Sequence, residues 1–192
     1  MTIQLGYDSK TLNVLVDDDG LDPFISKPEK NENRSLGGKI ETLTFFDLVV
    51  ARLAIAVPLS TYYDLVGFWS YVSRGNSFSL AMDTGQVGNT TLDGAAASGQ
   101  KDIPLTATTA FSQNEYCLIR QAAKNGQYEV VQVGSKDVNK VVAAANLQFT
   151  YASGDTFRHF RYYPSVKLLN EQFNPSFSGD YAFWNLEMIE AL

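Results

Sequence analysis

A chain whose apolar residues recur at every second position, in runs of about four to eight broken by glycine, asparagine and aspartate, must stack short antiparallel strands. That pattern dominates this sequence. Leu12-Asn13-Val14-Leu15-Val16 predicts an early strand, closed by the turn-forming cluster Asp17-Asp18-Asp19-Gly20. From Asp22 to Gly38 the composition changes to Pro23, Pro28, alternating charges and Asn31-Glu32-Asn33, which reads as a long exposed loop. Lys39 to Pro58 is rich in β-branched and aromatic residues and long enough for two strands, with the break placed near Phe46-Asp47.

One segment has the helical period. Thr61-Tyr62-Tyr63-Asp64 has capping-box spacing, and Tyr62, Leu65, Trp69 and Val72 then fall on one face, with Arg74-Gly75 as the stop. A helix over about 60–74 should therefore pack its aromatic face on a sheet. Ser77 to Asp83 alternates again. Thr84 to Gln100, with Gly85, Gly88, Gly94 and Gly99, reads as a flexible crossing. Beyond it come strands over Lys101–Leu105, Glu115–Arg120, Gln127–Val133, Val138–Ala143 and Thr156–Tyr162. They are punctuated by Asn125-Gly126, Gly134-Ser135-Lys136-Asp137 and Ser153-Gly154-Asp155. In the terminal segment Tyr181 to Glu190, Ala182, Trp184, Leu186 and Met188 share one strand face.

The expected fold is mainly β: an antiparallel β-sandwich with one packed helix and a small barrel-like hairpin module. Residues 1–100 form the N-terminal part of the sandwich with the helix, 101–163 the hairpin module, and 164–192 the strands that complete the sandwich. The module is either a separate domain or an insertion into the first sheet.

Charge and rare residues narrow the chemistry. Fifteen Lys plus Arg against twenty-one Asp plus Glu leave a formal charge of −6, with no basic run, which disfavours a nucleic acid partner. No basic and apolar leader opens the chain, and the longest apolar run, Leu48 to Leu59, holds Arg52 and Pro58 and is too short for a membrane span. A soluble protein of a reducing compartment is expected. Cys117 and His159 are each the sole residue of their type, so no disulfide framework and no Cys/His zinc set is available.

The tempting motifs fail on spacing. Placing Gly20 at the EF-hand glycine puts Leu15 at the first ligand and Ser26 at the bidentate glutamate. Gly37-Gly38-Lys39-Ile40 lacks the upstream glycine and the Ser/Thr of a phosphate loop, and Gly85-Gln86-Val87-Gly88 lacks the first glycine of a dinucleotide fingerprint. His159 lies in Arg158-His159-Phe160-Arg161-Tyr162-Tyr163, with no adjoining acid to orient it as a base, though one could arrive through the fold. Strand alternation would set Arg158, Phe160 and Tyr162 on one face and Phe157, His159, Arg161 and Tyr163 on the other, at a sheet margin suited to a protein interface. No catalytic, cofactor-binding or metal-ligating residue is nominated.

Over residues 39–192 the order of features resembles the tail proteins of bacteriophages and prophages, particularly the distal tail or baseplate-hub group. The likeness rests on the strand pair at Lys39–Pro58, the helix ending Trp69-Ser70-Tyr71-Val72-Ser73-Arg74-Gly75, and Phe78 to Asp83. It continues through Tyr116-Cys117-Leu118-Ile119, Tyr128 to Val133, Tyr151 to Asp155, Arg161-Tyr162-Tyr163-Pro164 and the terminal Leu186 to Glu190. The resemblance implies a non-enzymatic virion structural protein, made in the host bacterial cytoplasm and assembled as a homo-oligomeric ring, commonly a hexamer, at the tail tip. Tail tube, tape-measure and hub or receptor-binding proteins would be its partners. It brings no catalytic residues and no cofactor. Two other readings stand beside it: a carbohydrate- or cell-surface-binding β-sandwich module, and a hydrolase built on paired carboxylates, for which the sequence offers no pair.

Overall fold

The computed structural model describes residues 2–16, 24–34, 40–82, 86–122 and 127–191, with 24–34 and 40–51 as backbone alone. In chain order the elements are β1 (Thr2–Tyr7), β2 (Lys10–Val16), β3 (Phe24–Arg34), β4 (Ile40–Pro58), a single 3-10 turn (Leu59–Thr61), α1 (Tyr62–Val72) and β5 (Phe78–Ala81). There follow β6 (Asn89–Thr91), β7 (Asp102–Pro104), β8 (Tyr116–Arg120), β9 (Tyr128–Lys136), β10 (Lys140–Ala143) and β11 (Thr156–His159). The chain ends with β12 (Tyr162–Leu168), β13 (Ser176–Ser178) and β14 (Tyr181–Glu190). Strands make up 51% of the chain and helix 9%, so the protein is mainly β, as the alternation predicts.

The chain divides into two compact units, Met1–Leu80 with Ser165–Leu192, and Ala81–Pro164. The expected sandwich takes the form of one curled antiparallel sheet in the first unit. Its order is β13-β14-β12-β5-β1-β2-β4-β3, and β14 also pairs with β4, from Tyr181↔Pro58 to Ile189↔Val50. Within that register Arg52 meets Glu187 at 2.6 Å, so the charge inside the long apolar run has a cross-strand partner. β1, which the sequence reading passed over, forms a hairpin with β2 through Asp8 and Ser9, both with positive φ, the backbone a two-residue type I′ turn needs.

The helix fills the hollow of this sheet. Its inner stripe is Leu65, Phe68 and Val72, three and four residues apart. Tyr62 and Trp69, expected on that stripe, are half-buried at its flank. Phe68 sits edge-on to Tyr7 of β1 at 5.3 Å and to Phe78 of β5 at 5.0 Å, while Trp69 meets Trp184 of β14 at 5.6 Å. Gly75, at φ +84°, takes the left-handed position after the helix, and its N–H donates to the Val72 carbonyl. The capping box is not formed: the Thr61 hydroxyl donates back to the Pro58 carbonyl at 3.1 Å and makes no cap.

Two further expectations change. Phe24–Arg34 is an eleven-residue strand rather than a loop, paired to β4 from Phe24↔Ala51 to Arg34↔Ile40. It is an edge strand, a position where proline and charged residues are tolerated. β4 is a single nineteen-residue strand, not two. The expected break is a bulge, since Glu29 pairs with Phe46 and Lys30 with Thr44, leaving Phe45 unmatched. The clusters Asp17-Asp18-Asp19-Gly20, Gly37-Gly38-Lys39 and Asn125-Gly126, together with Gly85, lie outside the described residues.

The second unit is a closed six-stranded barrel in the order β6-β11-β8-β9-β10-β7. The ring shuts where Leu92 bridges Leu105, with Thr106 N–H donating to the Thr91 carbonyl and Asp93 N–H to Pro104. The stretch over 86–100, read as a flexible crossing, thus contains a barrel strand, and the barrel begins before residue 101. Its interior is filled by Ile103, Leu105, Phe111, Ile119, Val133, Val141, Tyr151, Phe157 and their neighbours, the packed core expected of a small barrel. The Ser153-Gly154-Asp155 turn is pinned by the buried Asp155 carboxylate, which accepts from Ala152 N–H and Ala122 N–H, both at 2.8 Å.

Two substitutions test these cores. Phe68→Ala, at a fully buried ring, should cost about 3–5 kcal/mol in urea unfolding. Asp155→Ala removes both hydrogen bonds that the carboxylate accepts in this exposed turn and should cost about 1 kcal/mol in the same measurement.

Candidate functional site: a carboxylate-centred depression on the barrel

β11 ends sooner than expected. Phe160 and Arg161 form a turn, and Tyr162 opens β12, so the aromatic-basic string is not one alternating strand. Phe157, Arg158 and His159 are all buried. Arg158 turns inward, its Nη1 donating to the Tyr162 carbonyl at 2.8 Å and its guanidinium lying 4.6 Å from the Tyr163 ring centre. That cation is used within the barrel unit instead of at a sheet margin.

The sole imidazole does acquire an acid. His159 faces Cys117 across the β11–β8 ladder, and its Nε2 lies 2.9 Å from Glu115 Oε2. The same carboxylate oxygen accepts the Ser112 N–H at 2.7 Å. The far side of the ring is closed by Phe111, 5.1 Å away between centres, and by Gly88, where a Cβ would stand 3.1 Å from His159 Nδ1 and 2.9 Å from the Ala110 Cβ. The Gly88 carbonyl also accepts the His159 N–H. Gly88, rejected above as part of a nucleotide fingerprint, is glycine because the imidazole occupies its side-chain space. Nδ1 itself is buried with no hydrogen-bond partner.

An imidazole, a thiol and a carboxylate brought together by the β11–β8 ladder suggest a nucleophilic site, but the burial of the first two argues otherwise. His159 is 1% exposed. Burial, followed by the nearby Glu115 charge, pushes the Cys117 thiol up to about 12, so it stays protonated and a poor nucleophile at neutral pH. Glu115 is the member of the group that reaches solvent. Desolvation raises its pKa, but hydrogen bonds from His159 and the Ser112 backbone, with the electrostatic influence of His159 and Lys136, outweigh it and hold the carboxyl below its ordinary value.

Glu115 opens into a depression of about 550 Å³ on the outside of the barrel. Tyr116, Phe160 and Val130 give it apolar surface; Gln86, Gln113, Asn114 and Arg161 give it polar surface. Asn114 holds φ +70°, a left-handed conformation uncommon outside glycine, in the turn that presents Glu115. Sequence reading missed this group because Glu115 and His159 are 44 residues apart and nothing local marks them as partners. Among the described residues no cluster of three or more His, Cys, Asp or Glu could hold a metal ion, and no helix is long and apolar enough to cross a membrane.

The lowered Glu115 pKa makes stability depend on pH in one direction. Its contribution is complete above the ordinary value of 4.5 and is lost as pH falls through the lower folded value. Urea midpoints should therefore drop on acidification from about pH 6 to about pH 3, and less steeply in Glu115→Gln. Cys117 should react with a disulfide reagent only as fast as the protein unfolds. No protein-family model and no curated protein matches the chain.

Proposed function

We propose that this chain is a non-enzymatic structural protein of a bacteriophage tail tip or baseplate, working as a ring of identical copies that joins the tail tube to hub or receptor-binding proteins. The likeness of residues 39–192 to distal tail proteins supports the setting, and one feature of the fold supports assembly. Residues 40–49 of β4 pair with β3 alone among the described residues, whereas β14 joins from Val50 and β2 from Ile55. The two strands thus continue as a ribbon of about 30 Å past the sheet they belong to. A two-stranded ribbon is marginal in water, because ordering each residue costs about 1–2 kcal/mol of backbone entropy and a single ladder does little to offset it. Ile40, Leu43, Phe45, Phe46, Leu48 and Val49 make this β4 segment apolar in sequence, which adds to the need for cover.

Neighbouring copies of the chain satisfy that need most simply. The strands at the two ends of the sheet order, β3 and β13, are different, so a contact between them is head-to-tail, the type that closes into rings. Exposed Phe177 on β13 and exposed Phe183 on β14 add apolar surface at the second end. The reading also fits a barrel whose imidazole and thiol are packed away from substrate.

Mass photometry of the full chain should show a closed oligomer, and negative-stain images should show rings. Replacing 27–48 with an Asn-Gly turn between the paired residues Ser26 and Val49 should give a monomer with the barrel's thermal transition unchanged. A full chain that stays monomeric at micromolar concentration, or a shortened variant that still forms the oligomer, would refute the proposal.

A further inference from the structure

We infer that the depression beside Glu115 is a binding site for a neutral saccharide, carried by the barrel independently of ring assembly. Its volume, about 550 Å³, lies within the range of small-molecule sites. Three features choose the ligand class. First, both hydrogen bonds that Glu115 accepts fall on Oε2, so Oε1 accepts none from the described residues and keeps its full acceptor capacity. The His159 and Ser112 contacts fix that carboxylate and keep it ionised, so a pair of hydroxyl donors would meet a preorganised acceptor rather than a floppy side chain.

Second, the adjoining Tyr116 side chain is 55% exposed, its hydroxyl makes no hydrogen bond among the described residues, and Phe160 lies beside it in the lining. An exposed aromatic ring with a half-buried one beside it, next to a fixed carboxylate, suits a ligand with one apolar C–H face and a hydroxylated rim, which describes a pyranose. Third, the charge of the lining balances. One carboxylate and one guanidinium, with the Gln86 and Gln113 amides, favour neither an anion nor a cation, whereas an ammonium ligand would be repelled by Arg161 and a phosphate by Glu115.

The test is saturation-transfer NMR on the full chain with methyl glucoside, methyl galactoside, methyl mannoside and N-acetylglucosamine, with choline and inorganic phosphate as charged probes. At least one neutral pyranoside should receive saturation from the Tyr116 ring. Tyr116→Ala should weaken its binding at least tenfold, while Tyr116→Phe, which keeps the ring, should retain it within a few-fold. Unfolding midpoints of both variants should match the parent, because the side chain is outside the core. No transfer to any neutral sugar at millimolar concentration, transfer to choline or phosphate alone, or sugar binding untouched by Tyr116→Ala would overturn the inference.

Discussion

Every β-sheet carries a row of unpaired N–H and C=O groups along each border, and the two units of this protein meet that constraint in opposite ways. The barrel abolishes its borders by bridging Leu92 to Leu105, so every strand has two neighbours and the apolar side chains turn inward. The curled sheet pairs β14 with β4 as well, and leaves the eleven-residue β3 with β4 as its one partner strand among the described residues. A closed unit is complete in itself. The β3–β4 ribbon that runs past the rest of its sheet is the feature on which the assembly reading rests.

The helix follows from the same geometry. A curled sheet has a concave side, and Phe68 with Leu65 and Val72 fills it, locked between Tyr7 and Phe78. The stripe is set by what it meets: Trp69, placed on the inner face by period alone, lies to one side because Trp184 and Phe173 receive it there. On the barrel, closure has a different consequence. The interior is packed, and Glu115 is the carboxylate that the His159 contact turns outward with one oxygen uncommitted. The imidazole acts there as a positioning group, held by Gly88 and Phe111.

What the sequence determined by itself is everything with a short period or a local backbone demand. The alternation of Ala182, Trp184, Leu186 and Met188 is buried as read, because a two-residue period depends on one strand alone. Gly75 and Gly154 stand at positive φ where turn chemistry placed them. Only the tertiary structure decided the rest. β3 looks like a loop because proline and charge, which an edge strand tolerates, are also the residues that loops use. The break expected near Phe46 became a bulge because the partner strand runs on past it. The Glu115–His159 contact joins residues 44 positions apart, so only ladder register, which no local pattern specifies, could create it.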